Sequence, residues 1–344
     1  MSKEYIWNLK DLKKVKKNNY KVFSCFSCGG GSSMGYKLAG YEVIGNCEID
    51  PNINELYIKN FKPKYTYLMG VQDFYKLDKI PEELYNIDIL DGSPPCSTFS
   101  MAGQREKNWG KEKKFREGQA KQVLSDLFFD FIKVAERLKP KIVIAENVKG
   151  IIAGNAKGYI NAILKEFDRI GYDTQIFLLN AATMGVPQKR ERVFFICKRK
   201  DLKLPNIKLS FNERPILYKE FKDSDYKKMN TNTIEYKRWT KRNSKDKTIG
   251  DISLRLENKN SGFTHRFIKD NEIPSTQIAS NPLLRFDVPG YISDKDIKTI
   301  QTFPQDYDFL NQQPVYVCGM SVPPIMMKKI SEQVKIQLLD KVNK

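Results

Sequence analysis

The sequence predicts an α/β fold, a doubly wound sheet with a smaller and irregular second domain. Three observations predict it. Short apolar runs alternate with helix-like segments over about the first 200 residues, the pattern of successive strand–helix–strand units. A glycine-rich turn containing Gly29, Gly30 and Gly31 separates the first run from the first helix. The alternation stops near Asp201, and a helical pattern returns only at Asp294–Thr302. A chain of 344 residues holds one large domain and a smaller one. The expected boundaries are a discontinuous large domain, 1–200 plus about 291–344, and a small domain of about 201–290.

Residues 1–20 are a basic lead-in. Lys21–Phe26 reads as the first strand, and Ser32 or Ser33 as the N-cap of the helix after the glycine turn. Such a unit brings backbone close to a nucleotide-like ligand. The dinucleotide spacing G-x-G-x-x-G is absent, so the turn alone is equally suited to tight packing. The second strand, Tyr41–Cys47, ends in Glu48-Ile49-Asp50-Pro51. An acid at that tip is placed to bind a ribose diol, against the alternative of a solvated strand end. A helix over 52–60 leads to a third strand, Tyr65–Met69. Asp73 follows at a strand end, where it either accepts from an adenine amino group or caps a turn.

The run Ile87–Leu90 reads as a buried strand, followed by Gly92-Ser93-Pro94-Pro95-Cys96. Two prolines fix the backbone ahead of Cys96, at the sheet edge where open α/β folds do their chemistry. A thiol presented there is a candidate nucleophile, active as the thiolate; a buried core cysteine is the alternative. A polar stretch follows with Gly103, Gly110 and Gly118 among Arg105, Lys107, Lys111, Lys113, Lys114 and Arg116. Its length marks a functional lid or a disordered loop. Helical spacing covers Gln119–Leu138, and a strand at Lys141–Ala145 delivers Glu146-Asn147-Val148. After a further helix and strand, Gly185-Val186-Pro187-Gln188-Lys189-Arg190-Glu191-Arg192 precedes a last strand, Val193–Cys197.

Residues 201–284 carry 17 Lys and Arg against 11 Asp and Glu. Six of those cations lie in Lys237–Lys247 around Trp239, a pattern that suits nucleic acid and also a solvated charged face. The whole chain has a net charge of +18, which points to a polyanionic partner. Gly319-Met320-Ser321-Val322-Pro323-Pro324 precedes a terminal helix with Met326, Ile330, Val334 and Leu338 on one face.

Other classes are disfavoured. No apolar run approaches the roughly 20 residues of a membrane span, and the lysine-rich N-terminus lacks the apolar core of a signal peptide. Six scattered cysteines suit reduced thiols in the cytoplasm better than a disulfide scaffold. With Cys25-x-x-Cys28 as the one such pair and His265 as the one histidine, no metal site is expected.

Taken in order, Phe26 with the glycine turn, Pro94-Pro95-Cys96, Glu146-Asn147-Val148, Gln188-x-Arg190-x-Arg192 and Gly319-x-Ser321-Val322 resemble the motifs of the cytosine-C5 DNA methyltransferases. The resemblance spans nearly the whole chain except the small domain, which it makes the target-recognition domain beside a Rossmann-like catalytic domain. It implies S-adenosylmethionine as cofactor, S-adenosylhomocysteine as product and no metal. Cys96 would attack C6 of a cytosine flipped out of duplex DNA. Glu146 would hold N3 and the 4-amino group, Arg192 would contact O2, and Arg190 would support the site. The resemblance assigns the cofactor to Phe26, Gly29, Gly30, Gly31, Glu48, Ile49, Asp73, Ser93, Pro95, Leu127 and Ser321. DNA contacts fall to Arg105, Lys237, Arg238, Lys241 and Arg242. It further implies a cytoplasmic monomer without membrane contact, any cognate restriction endonuclease being a separate protein. Four positions depart from the family pattern: Ser24 where Asp is usual, Gly70-Val71-Gln72-Asp73 where a Gly-Asp pair is usual, Ser97 for Gln, and Met320 for Asn.

An RNA cytosine-C5 methyltransferase acting on tRNA shares the fold, and a catalytically inactive DNA-binding module shares the charge. A nucleotide-dependent oxidoreductase would explain the first unit and leave Cys96, Glu146 and the two arginines without roles. A zinc deaminase would need ligands this chain lacks.

Overall fold

A computed structural model describes residues 3–95, 127–153, 157–262 and 264–342, with backbone alone at 112–113 and 122–123. The chain divides into two compact units. The larger comprises Lys10–Asn180, Glu191–Phe211 and Pro324–Lys344, and the smaller comprises Met1–Leu9, Ala181–Arg190 and Asn212–Pro323. Residues 291–323, read from the sequence with the large domain, therefore group with the smaller unit, as do 1–9 and 181–190. Strand pairing explains part of this, because Gly290–Ile292 pairs with Tyr226–Lys228.

The larger unit is built on seven strands: β1 (Lys21–Cys25), β2 (Glu42–Glu48), β3 (Tyr65–Leu68), β4 (Ile89–Gly92), β5 (Ile142–Val148), β6 (Tyr172–Asn180) and β7 (Glu191–Arg199). Their order across the sheet is β3-β2-β1-β4-β5-β7-β6. Neighbours from β3 through β5 are parallel, and β7 runs antiparallel to both β5 and β6. This is the Rossmann-like α/β architecture expected. β4 and most of β5 are buried along their length, which is why both read as continuous apolar runs. The chain order reverses between β1 and β4, and such a switch point opens a crevice at the carboxyl ends of the strands.

The helices of this unit are α1 (Gly31–Leu38), α2 (Pro51–Phe61), α3 (Val71–Phe74), α4 (Leu127–Leu138) and α5 (Lys157–Arg169). In α2, Asp50 caps the first turn by accepting from the Asn52 and Ile53 amides, and Pro51 opens the helix. α4 buries Leu127, Phe128, Phe131, Ile132, Val134, Ala135 and Leu138. The helix expected from Gln119 begins, among the described residues, only at Leu127. Gln122–Val123 instead pairs antiparallel with Glu112–Lys113, so its amides serve a ladder. The C-terminal helix, Pro324–Gln337, buries Met326, Ile330 and Val334 as the periodicity predicts. Tyr41 donates its hydroxyl to the Ser331 carbonyl and ties that helix to the sheet.

The smaller unit has four short strands, β8 (Tyr226–Lys228), β9 (Phe267–Ile268), β10 (Leu284–Arg285) and β11 (Gly290–Ile292). They lie in the order β8-β11-β10-β9. Around them are α6 (Ile234–Trp239), α7 (Ile249–Glu257), α8 (Asp294–Ile300) and α9 (Pro314–Met320). Thr248 and Asp251 form a reciprocal capping box at α7. Met229, Trp239, Ile249, Ile252, Phe267 and Leu284 make its core. Among the described residues, no helix is long and apolar enough to cross a membrane.

Candidate active site

Chain segments after β1, β2 and β3 of the larger unit build a slot. The backbone after β1 turns sharply: Phe26 and Cys28 have φ of 52° and 45°, and Gly30 has φ 73°. Left-handed backbone at two non-glycine residues so close together is a strained arrangement of the kind found at ligand sites. Gly30 is required for a second reason, since a Cβ there would lie 2.2 Å from Phe61 Cε2. Gly30 is also the helix cap, with no side-chain bond; neither Ser32 nor Ser33 caps α1. Ser33 is buried and shares a 2.8 Å hydrogen bond with Tyr57, so its hydroxyl is committed to packing. Gly29 and Gly31 are buried in the same turn.

Glu48 ends β2 with its carboxylate turned inward. One oxygen accepts from the Cys28 amide at 2.9 Å; the other accepts from Ile49 and Asp50 at 2.9 and 3.1 Å. Burial raises its pKa, and the three amides oppose that rise. Beside it Phe26, Cys47, Ile49, Met69, Gly70, Val71 and Gln72 line a slot. Its walls are mostly apolar and suit a flat heterocycle. Asp73 lies outside this lining, on the exposed side of α3. Gln72 is the polar side chain in the slot, and its Oε1 is buried without a hydrogen-bond partner. A polar atom left in that state points to a ligand group.

A second cluster spans β4, β5 and β7. Arg192 on β7 places Nε 2.9 Å from Glu146 Oε1 on β5, with side chains 16% and 12% exposed. The next residue, Asn147, donates from Nδ2 to the Pro94 carbonyl at 3.1 Å and accepts from the Val148 amide. This bond holds the Pro94-Pro95 segment that leads toward Cys96. Ser93 and Pro95 are half-buried, and Leu127 is buried at the start of α4. Below them Asp91 is buried and accepts from Ser24 Oγ at 2.8 Å and Tyr36 Oη at 3.2 Å. Desolvation pushes its pKa up to about 7, against the pull of those hydroxyls.

Cys96 and Arg105 lie outside the described residues, as does Ser97. Among the described thiols, Cys25, Cys47 and Cys197 are buried, and desolvation raises the pKa of each. Such thiols stay protonated and unreactive.

Other sequence-selected residues belong to the smaller unit. Arg190 donates to the carbonyls of Gln277, Gly319 and Ser321 at 2.9–3.0 Å. Its guanidinium thus binds two other chain segments of that unit, at 277 and 319–321, rather than the Glu146–Arg192 pair. Gln188, fully buried, bonds Ile300, Gln301 and the Gln277 amide in the same region. Ser321 turns its hydroxyl back onto the Val317 carbonyl, and Met320 is exposed. In the basic run, Trp239 is buried, donating to the Arg285 carbonyl, so it is a core residue and no stacking platform. Arg238 is held bidentately by Glu257. Arg242 lies 3.4 Å over the Trp239 ring and bonds two carbonyls. Lys237 and Lys241 are exposed.

Sequence reasoning passed over Gln72 and Asp91. The signals were present: an amide two residues after Gly70 at a strand end, and a carboxylate at the tip of β4 beside a serine. Among the described residues, no group of three His, Cys, Asp or Glu is placed to hold a metal ion.

The chain is similar to known proteins. The model of the C-5 cytosine-specific DNA methylases matches residues 20–336. The Type II methyltransferase M.FnuDI of Fusobacterium nucleatum is 37% identical over 203 residues, covering 59% of this chain and 53% of that protein. The Type II methyltransferase M1.HphI of Haemophilus parahaemolyticus is 27% identical over 90% of this chain and 85% of its own. The chain spans about half the length of several curated relatives it matches. Among solved structures, an Escherichia coli prophage protein described as a DNA modification methyltransferase superposes with a TM-score of 0.66 at 20% identity, covering 93% of this chain and all of that one. A Spodoptera frugiperda DNMT2 gives 0.62 at 16%, covering 95% and 100%. At those identities the likeness is one of fold.

Proposed function

This chain belongs to the C-5 cytosine-specific DNA methylase family, and on that premise we propose that it is a DNA (cytosine-5)-methyltransferase acting on duplex DNA. The Glu146–Arg192 pair, 2.9 Å apart beside the Pro94 segment, is the observation that carries the reading. A carboxyl and a guanidinium so held offer a pyrimidine both of its edge partners: the carboxyl for N3 and the 4-amino group, the guanidinium for O2. Cytosine C5 is a poor nucleophile. Addition of the Cys96 thiolate to C6 makes C5 enamine-like, and Glu146, sharing a proton with the ring, stabilises the negative charge that develops at N3. Asn147 holds Pro94, two residues before Cys96 in the chain. A stacked base is out of reach, so the cytosine must leave the duplex first.

Phe26, Glu48, Ile49 and Gln72 would hold S-adenosylmethionine, Glu48 at the ribose and Ile49 at the adenine, and the bound cofactor would supply an electrophilic methyl group for C5. A base then takes the C5 proton as the C6–sulfur bond breaks and the Cys96 thiolate leaves. The orphaned Gln72 Oε1 and the apolar walls support that fit. On this reading the enzyme is a cytoplasmic monomer, with any cognate endonuclease a separate protein. Bisulfite sequencing of DNA from cells expressing the chain tests it. Unconverted cytosines should recur within one short sequence and vanish with Cys96→Ser. Full conversion at every site in DNA from cells making the wild-type protein would refute the activity.

A further inference from the structure

Three features of the slot bear on which purine it takes. Gln72 Oε1 is buried and has no hydrogen-bond partner, and Gln72 lines the slot together with Phe26, Ile49 and Met69. Gly70 makes room for that amide: a Cβ at Gly70 would fall 2.3 Å from Gln72 Nε2 and 2.4 Å from Oε1. The Gly70 backbone is ordinary, with φ −71° and ψ 150°, so the glycine serves the neighbouring side chain and not its own conformation. The acid next in sequence, Asp73, is exposed and outside the lining.

We propose that Gln72 reads the exocyclic group at C6 of the cofactor's purine, its Oε1 accepting a hydrogen bond from the 6-amino group. The inference rests on the slot being the adenine site. A carboxylate only accepts, but a carboxamide carries an acceptor and a donor on one planar group. Rotation of the amide by half a turn presents Nε2 to a 6-oxo group. The slot therefore tolerates hypoxanthine in place of adenine to a degree that a carboxylate would not. In the unliganded chain the buried carbonyl is a stability cost, recovered only when the purine is bound.

Calorimetric titration of the full chain with S-adenosylhomocysteine and with S-inosylhomocysteine tests this. Wild type should bind both within about fivefold of each other. Gln72→Leu should weaken S-adenosylhomocysteine binding about tenfold, the usual effect of an unmet hydrogen-bonding group, while the unliganded thermal midpoint stays level or rises. Gly70→Ala, which displaces the amide without backbone strain, should weaken binding in the same direction. Gln72→Glu should widen the preference for the adenine compound by about tenfold or more. Unchanged affinity in Gln72→Leu, or a loss confined to Asp73→Asn, would overturn the assignment. If wild type binds neither compound, the cofactor reading itself fails and this inference falls with it. Binding by wild type with no effect of Gln72→Leu would sink the inference alone.

Discussion

Ser24 on β1 donates its hydroxyl to Asp91 on β4 at 2.8 Å, and the two residues face each other in the parallel register. The family pattern has an acid on the first strand. Here the acid stands one strand over and a serine bonds to it. Tyr36 adds a second hydroxyl at 3.2 Å, yet burial dominates and raises the carboxyl to about 7.

That shift sets a pH dependence of stability. An unfolded aspartate titrates near 3.9, so between about pH 4 and 7 the folded chain holds a proton that the unfolded chain has released. Stability from this group is fully present below the unfolded value and falls as pH rises through about 7. The loss is on the order of a few kcal/mol. Asp91→Asn, which cannot ionise, should flatten the decline between about pH 4 and 7 in urea unfolding. Identical slopes for the two proteins would remove Asp91 as its source.

The Glu146–Arg192 pair predicts a division between binding and chemistry. Glu146→Gln keeps shape and a hydrogen-bonding head but loses the acid, so single-turnover methylation should slow by about 10²–10⁴. DNA affinity measured by fluorescence anisotropy should change by less than about threefold, because the side chain is mostly buried and meets only the flipped base. A loss of DNA affinity as large as the loss of rate would move Glu146 from catalysis to docking.

For the basic run, structure divides cations that look alike in sequence. Lys237 and Lys241 are exposed, whereas Arg238 is engaged by Glu257 and Arg242 by Trp239. Lys237→Ala with Lys241→Ala should reduce the slope of log affinity against log salt by about 0.9 for each phosphate that is no longer neutralised. Arg242→Ala should instead lower the thermal midpoint, since it uncovers the indole. An unchanged slope in the lysine double variant would leave that run a solvated face.

Periodicity and chain punctuation made much of the sheet legible. β1, β2, β4 and β5 appear within a few residues of their expected places because buried central strands are continuous apolar runs between glycine and proline breaks. Legibility failed where the role of a residue depends on the partner it meets in space. Trp239 among cations looks like a stacking platform, and only the fold puts it in a core. Arg190 and Arg192 are two residues apart and serve different partners, one a set of carbonyls, the other Glu146. Gln72 and Asp73 are adjacent polar residues on one short helix, and local sequence does not say which turns into the slot. The division at Asn180 and Glu191 was likewise hidden, because a paired strand edge leaves no compositional mark.

Whether Cys96 attacks a cytosine before methylation is decided by trapping. Duplex DNA carrying 5-fluorocytosine at the target site is incubated with the chain and S-adenosylmethionine, denatured, and the adduct mapped by mass spectrometry. Fluorine at C5 cannot leave as a proton does, so elimination stalls after methylation. A denaturation-stable protein–DNA adduct should form on Cys96 and be absent in Cys96→Ser, because a hydroxyl is far less ionised near neutral pH. Cys25→Ser and Cys28→Ser should both retain it. An adduct on Cys25 or Cys28 would contradict the mechanism, and trapping on tRNA with none on duplex DNA carrying the target site would contradict the substrate.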